Sequence, residues 1–196
     1  MAGGTDAGLW VTQLHRRFEQ VIDLTRVQEL KRIENYPHHL AIGAAVSLHD
    51  AFTALAKQRP TIQHFAERFA GRPVRQSGTL GGNIANGSPI GDMPPALIVL
   101  GASLVLRKGA ATRELPLEDY FLAYGKQDRR PGEFVEAVGQ CAERDENGAG
   151  YACSGMFGRL AHIDEQGRAI SQHRLEGLRV DLALEDLVVM GDGLLE

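Results

Sequence analysis

Gly78-Thr79-Leu80-Gly81-Gly82-Asn83-Ile84-Ala85-Asn86-Gly87-Ser88-Pro89 is the stretch on which the reading of this chain turns. Its glycines and asparagines are too dense for a continuing helix and too irregular for a long strand, which predicts a loop with special backbone geometry. Asp92 followed by Met93-Pro94-Pro95 predicts an N-cap with proline in the first turn, opening an apolar helix through Leu100 that closes at Gly101.

Outward from that loop, the periodicity is more regular. Ser47 with Asp50 three residues on marks a helix start, and Phe52, Leu55 and Ala56 keep helical spacing until Pro60. A second helix is predicted from Thr61 to Ala70, stopping at Gly71. Leu30 to Glu34 and Leu40 to Val46 flank the turn residues Asn35-Tyr36-Pro37 and read as paired strands. Leu9-Trp10-Val11 suggests a short helical turn and Val21-Ile22-Asp23-Leu24 a strand. On the other side, Ser103 to Arg107 and Thr112 to Leu115 predict a hairpin, Leu117 to Tyr124 a helical turn, and Glu133 to Val138 a strand. Helices and strands alternate irregularly, so the expected class is α+β. Asp145-Glu146-Asn147-Gly148 reads as a linker, and the alternation from Leu178 to Leu184 as a strand of a small C-terminal appendage.

Composition narrows the function. A chain of 196 residues can bury a real core. Its net charge of −4 offers no basic patch for nucleic acid. No apolar run approaches the roughly 20 residues that a bilayer span requires, and a cytoplasmic protein with no membrane partner is expected. Cys141 and Cys153 form no C-x-x-C, so no zinc site or iron-sulfur cluster is expected on this chain. The adjacent His38 and His39 sit beside a turn and read as surface residues, and no metal site is expected.

The chemistry therefore lies in two glycine-rich stretches, Gly3-Gly4 and Gly81-Gly82. Backbone N–H groups can surround a diphosphate where no Cβ keeps the chain away. Thr5, Thr79 and Asn83 place polar side chains beside those backbones. Asp6 and Asp92 would repel phosphate, so Asp6 is read as offering its backbone N–H. Asp92 is read as a helix cap or an acceptor from a ribitol or ribose hydroxyl. For a lone glycine pair an ordinary tight turn is the stronger reading, and neither stretch matches G-x-G-x-x-G or a P-loop.

A family resemblance adds to this. Ala2-Gly3-Gly4-Thr5-Asp6, Val21-Ile22-Asp23-Leu24 with Glu29-Leu30, Ile42-Gly43-Ala44-Ala45-Val46 and above all Arg75 to Asp92 stand in the order and near spacing of one family. They resemble the FAD domain of xanthine dehydrogenases, which are molybdenum hydroxylases. Leu117-Glu118-Asp119-Tyr120-Phe121 and Tyr124-Gly125-Lys126-Gln127, leading to Pro131-Gly132-Glu133, are similar to the small FAD-bearing subunit of the bacterial enzymes.

The resemblance implies a two-subdomain FAD-binding fold of the vanillyl-alcohol-oxidase type. It would occupy residues 1–139, incomplete at its N-terminal edge, with 140–196 as a small α+β appendage. Gly3, Gly4, Thr5, Asp6 and Ala7 fall on the family's first FAD loop, and Thr79, Gly82, Asn83 and Asp92 on its second. Phe69 takes the place of an aromatic residue against the flavin ring and Val135 that of an apolar ring contact; read from the residues alone, Phe69 is equally a core side chain. The implied role is electron relay: from iron-sulfur clusters and a molybdenum cofactor on partner chains, through FAD, to NAD. No catalytic side chain is implied, because the flavin carries the chemistry. A stand-alone flavin oxidoreductase, or a defective fragment without cofactor, is the alternative.

Overall fold

The computed structural model describes residues 1–37 and 39–141. His38, the linker at Asp145, the strand expected near Leu178 and the rest of the expected appendage lie outside the described residues, except Gln140 and Cys141.

A five-stranded antiparallel sheet forms the base of the fold. Its strands are β1 (Ile33–Asn35), β2 (His39–Gly43), β3 (Ser103–Lys108), β4 (Ala111–Pro116) and, last in sequence, Phe134–Cys141, in the spatial order β1-β2-(Phe134–Cys141)-β3-β4. Between β4 and that last strand lies a small two-stranded hairpin, β5 (Phe121–Ala123) with β6 (Lys126–Gln127), so the central strand is β7. It runs past residue 139, pairing Gln140 with Leu40 and Cys141 with His39.

Alternation along the strands sends one row of side chains into the core. Leu40 and Ile42 of β2 and Leu104 and Leu106 of β3 are all buried on the face that meets the helices. Val105 points the other way, to a small second cluster with Ala41. On β7 the same face receives Val135 and Val138, three apart, which strict alternation forbids. The register shifts there: Leu106 pairs with Val135 but Val105 with Ala137, leaving Glu136 as a bulge. The Glu136 carboxylate meets Arg107 at 2.8 Å, and its carbonyl accepts from the Ala44 N–H at 2.9 Å.

Six helices follow β2 or lie between the strands. They are α2 (Leu48–Gln58), α3 (Ile62–Arg68), α4 (Arg72–Ser77), α5 (Leu80–Ala85), α6 (Met93–Val99) and α7 (Leu117–Tyr120); α1 (Ala7–Thr12) precedes the sheet. In α2 the Ser47 hydroxyl accepts from the Asp50 N–H at 3.0 Å and donates to the Asp50 carboxylate at 2.8 Å. Leu48, Ala51, Phe52 and Leu55 form its buried face. The expected hairpin at 103–115 and helices at 47 and 61 are present, whereas Val21 to Leu24 forms no strand. The segment at Leu117 is helical only to Tyr120 and then turns into β5.

The main correction concerns the glycine-rich stretch. Gly78 to Pro89 is not a loop throughout, because Leu80–Ala85 is helical. The Thr79 hydroxyl oxygen caps it by accepting from the Gly82 N–H at 3.2 Å. Two donors that would otherwise be orphaned at the helix start go to the chain leaving β2: Leu80 N–H to Val46 and Gly81 N–H to Ala44, both at 2.9 Å. Tertiary partners thus stabilise a helix that intrinsic propensity disfavours.

Candidate ligand site

The first glycine pair adopts a backbone that glycine alone takes readily. Gly3 and Gly4 have φ of 70° and 68°. Ala7, buried, is the first residue of α1, while Thr5 is exposed and Asp6 half-buried. Among the described residues, the N–H groups of Thr5, Asp6 and Ala7 donate to no backbone oxygen, although the Gly4 N–H bonds to Ala2 and the Gly8 N–H to Gly4. This loop therefore holds donors that are available for a partner from outside the described chain.

The second stretch does the opposite. The N–H groups of Leu80, Gly81, Gly82 and Asn83 all bond within the chain, those of Gly82 and Asn83 to the side chain and carbonyl of Thr79. Among the described residues the N–H groups of Gly81 and Gly82, expected as donors for phosphate, thus already have partners within the chain. Gly81 lacks a side chain for packing: a Cβ there would stand 2.4 Å from the Ala44 Cβ. Gly82 differs, being exposed, with only the Thr79 hydroxyl near its Cβ position.

The two stretches touch at two points. A Cβ on Gly3 would lie 2.3 Å from the Ser77 carbonyl oxygen, so the first loop rests directly on the backbone joining α4 and α5. At the other end of α5, the Asn86 side-chain amide donates to the Asp6 carboxylate across 80 positions of sequence. Asn83 projects from the same helix, and its side-chain oxygen is buried with no hydrogen-bond partner among the described residues. Such an acceptor fits a hydroxyl donor of a sugar better than it fits a phosphate.

The remaining expected residues are placed differently. Asp92 precedes α6, but its side chain makes no cap hydrogen bond and it is exposed. Phe69 is 8% exposed and packs edge-on against Phe52 at 5.1 Å and near Phe65 at 5.9 Å. Val135 is equally a core residue. Beyond Phe69, Ala70 has φ of 43°, and the Arg75 guanidinium holds that turn by donating to the carbonyls of Phe69 and Ala70, each at 2.6 Å. A small cleft between α2 and α3, lined by His49, Gln63 and Glu67, contains none of the expected site residues.

Sequence reading missed Asn86 and Gln127. Asn86 lies three residues after Asn83, one helical turn on, and that spacing was a usable signal. Gln127 has no such signal: it packs on the loop after α5 because Gly87, at φ 58°, leaves room where a Cβ would overlap its amide. Among the described residues no group of three or more potential metal ligands gathers, and no helix is long and apolar enough to cross a membrane.

Comparison with known proteins places this geometry. Residues 1–139 match the family described as the FAD binding domain in molybdopterin dehydrogenase. The chain is 30% identical over 122 residues to the glyceraldehyde dehydrogenase medium chain of Sulfolobus acidocaldarius, covering 61% of this chain and 43% of that protein. It is 26% identical over 173 residues to xanthine dehydrogenase 1 of Arabidopsis thaliana, covering 75% of this chain and 13% of that one. Quinoline 2-oxidoreductase from Pseudomonas putida 86 superposes with a TM-score of 0.67 at 25% identity, over 78% of this chain and 57% of that chain. The chain thus spans less than half the length of either curated relative.

Proposed function

The chain belongs to the family of FAD-binding domains of molybdopterin dehydrogenases, and from that premise we propose that it is the flavin-bearing electron relay of a molybdenum hydroxylase of the xanthine dehydrogenase type. The observation that carries the reading is the seating of Gly3 on the Ser77 carbonyl, which sets the unpaired N–H groups of Thr5, Asp6 and Ala7 beside α5.

The residues present fit FAD. The loop donors of Thr5, Asp6 and Ala7 would hold the diphosphate, with Gly3 and Gly4 giving the backbone its curvature. Along α5, Thr79, Gly82 and Asn83 would line the sugar, the buried Asn83 oxygen being suited to accept from a hydroxyl. Asp92, exposed at the head of α6, would accept from a second hydroxyl. Phe69 and Val135, both in the core cluster, would be the aromatic and apolar contacts to the ring that the resemblance implies. FAD, when bound, supplies hydride and single-electron chemistry. The chain's own residues bind it, orient it and exclude water, and none is assigned a proton transfer.

The finer assignments rest on the resemblance of the motifs from Ala2 to Glu133. Iron-sulfur clusters and the molybdenum cofactor sit on partner chains, NAD is the electron acceptor, the substrate is a purine, and the complex is cytoplasmic. Residues 140–196 are assigned to a C-terminal appendage of the FAD-binding domain at 1–139. Titrating the purified chain with FAD tests the central claim: flavin absorbance should co-elute with the protein, and its absence at high added FAD refutes the reading. The finer claim is tested by adding the molybdenum and iron-sulfur partners from the same source, which should be required for xanthine-dependent NAD reduction. Xanthine oxidation by the chain alone would overturn the relay role.

A further inference from the structure

The Asp6 carboxylate is a liability in a loop that is to receive an anion, and the structure shows what restrains it. Asn86 donates its side-chain amide to Asp6 Oδ2, and both groups are partly buried. We infer that Asn86 is a positioning residue for the FAD-binding loop: it turns the Asp6 carboxylate away from the diphosphate and fixes the Asp6 and Ala7 N–H groups toward it. The inference rests on the FAD reading above and names a residue beyond those assigned to the ligand.

Three observations carry it. The loop has few local constraints of its own, because Gly3 and Gly4 hold left-handed backbone and only the Gly4 N–H closes a bond within Ala2–Thr5. Its start is tied to the chain at Leu24, whose N–H bonds to the Met1 carbonyl at 2.9 Å, and the glycine turn itself is placed by two contacts on either side of α5, Gly3 on Ser77 and Asp6 on Asn86. Asn86 is itself held: its N–H bonds to the Gly82 carbonyl at 3.0 Å, and the next N–H, of Gly87, bonds to Ile84 at 3.0 Å. The amide is therefore presented from a fixed backbone, and Asp6 must come to it. A hydrogen bond to a charged acceptor is strong enough to select one carboxylate orientation.

The test is an exchange of partners in the full chain. Asn86→Ala and Asn86→Asp should each weaken FAD binding by about tenfold or more, the second through repulsion of two carboxylates. The double variant Asp6→Asn with Asn86→Asp restores one amide and one carboxylate with their places swapped, and should return affinity to within about threefold of the parent. In the FAD-free protein, amide exchange at Gly4 and Gly8, whose N–H groups bond to the Ala2 and Gly4 carbonyls at 2.8 Å, should accelerate in Asn86→Ala and slow again in the swap. Single variants that lower thermal stability but leave FAD affinity and loop exchange unchanged would reduce the pair to a structural contact and overturn the inference. Failure of the swap to rescue would do the same. A parent chain that binds no FAD removes the functional reading and the positioning role with it, whereas normal parental binding with unaffected Asn86 variants removes the positioning role alone.

Discussion

Arg113 meets Glu133 through two parallel hydrogen bonds, Nε to Oε1 and Nη2 to Oε2, each 2.8 Å long. The same guanidinium reaches the Asp128 carboxylate at 2.8 Å and the Asp128 carbonyl at 2.6 Å. One side chain on β4 thereby ties down the whole turn that leads into β7. Glu133 is 5% exposed, so removing its partner strands a buried charge. Arg113→Ala is expected to destabilise the fold by about 3 kcal/mol, measured by urea unfolding, with Arg113→Lys recovering only part because the fork is lost.

That pair also sets a pH dependence. The hydrogen-bonded Arg113 guanidinium holds the Glu133 carboxyl below the usual carboxylate range. A group with a lowered folded pKa contributes stability that is fully present above its unfolded pKa and is lost as pH falls through the folded one. Melting temperature should therefore drop on the acid side, and the drop should be shallower in Glu133→Gln, which starts less stable at neutral pH. Equal acid slopes in the two proteins would count against the pair as the source.

The glycines separate by what they touch. Gly81→Ala places a Cβ against the Ala44 Cβ at 2.4 Å and Cα at 2.9 Å, so it should cost several kcal/mol on the scale of overpacking, with or without ligand. Gly4→Ala meets nothing closer than the Met1 sulfur at 3.6 Å and should cost only about 1 kcal/mol, from its left-handed backbone. Thermal unfolding of the FAD-free proteins distinguishes the two.

Phe69→Ala should destabilise the FAD-free chain by about 3 kcal/mol, because it empties the contact with Phe52 and Phe65. A residue serving only as a flavin platform would leave the FAD-free protein unchanged. Chemical denaturation without ligand is the deciding measurement.

Tyr120 is fully buried, and its hydroxyl has no hydrogen-bond partner among the described residues. Burial pushes its pKa up to about 12. Tyr120→Phe should then be neutral or stabilising by up to about 1 kcal/mol, since it deletes an unsatisfied polar atom and keeps the ring. A clear loss of stability would reveal a partner for that hydroxyl.

Local patterns in the sequence reported local structure. Ser47 and Asp50 announced the cap of α2, and the runs Ser103 to Arg107 and Thr112 to Leu115 announced the β3–β4 hairpin, because in each case the partners are neighbours in the chain. The helix at Leu80 was hidden, since what stabilises it are the carbonyls of Ala44 and Val46. Nothing in Gly81-Gly82 distinguishes a glycine that admits phosphate from one that admits Ala44. The first loop was found by its glycines, but its contacts with Ser77 and Asn86 cross more than 70 residues, and no periodicity encodes them. Arg113 and Glu133, 20 positions apart, likewise carry no local sign of their pairing.

The bulge at Glu136 couples distant parts of the chain to insertions and deletions. Its carbonyl accepts from Ala44, whose own carbonyl accepts from Gly81, so one residue joins the central strand to the start of α5. Deleting Glu136 would set Val135 and Val138 two apart, both still facing the core in regular alternation, but would remove the carboxylate that meets Arg107. It would also withdraw the acceptor that fixes Ala44. Length variation in β7 is thus constrained from two directions, and a one-residue indel there would be felt at the glycine-rich helix, far from it in sequence, before it was felt at the strand's own ends.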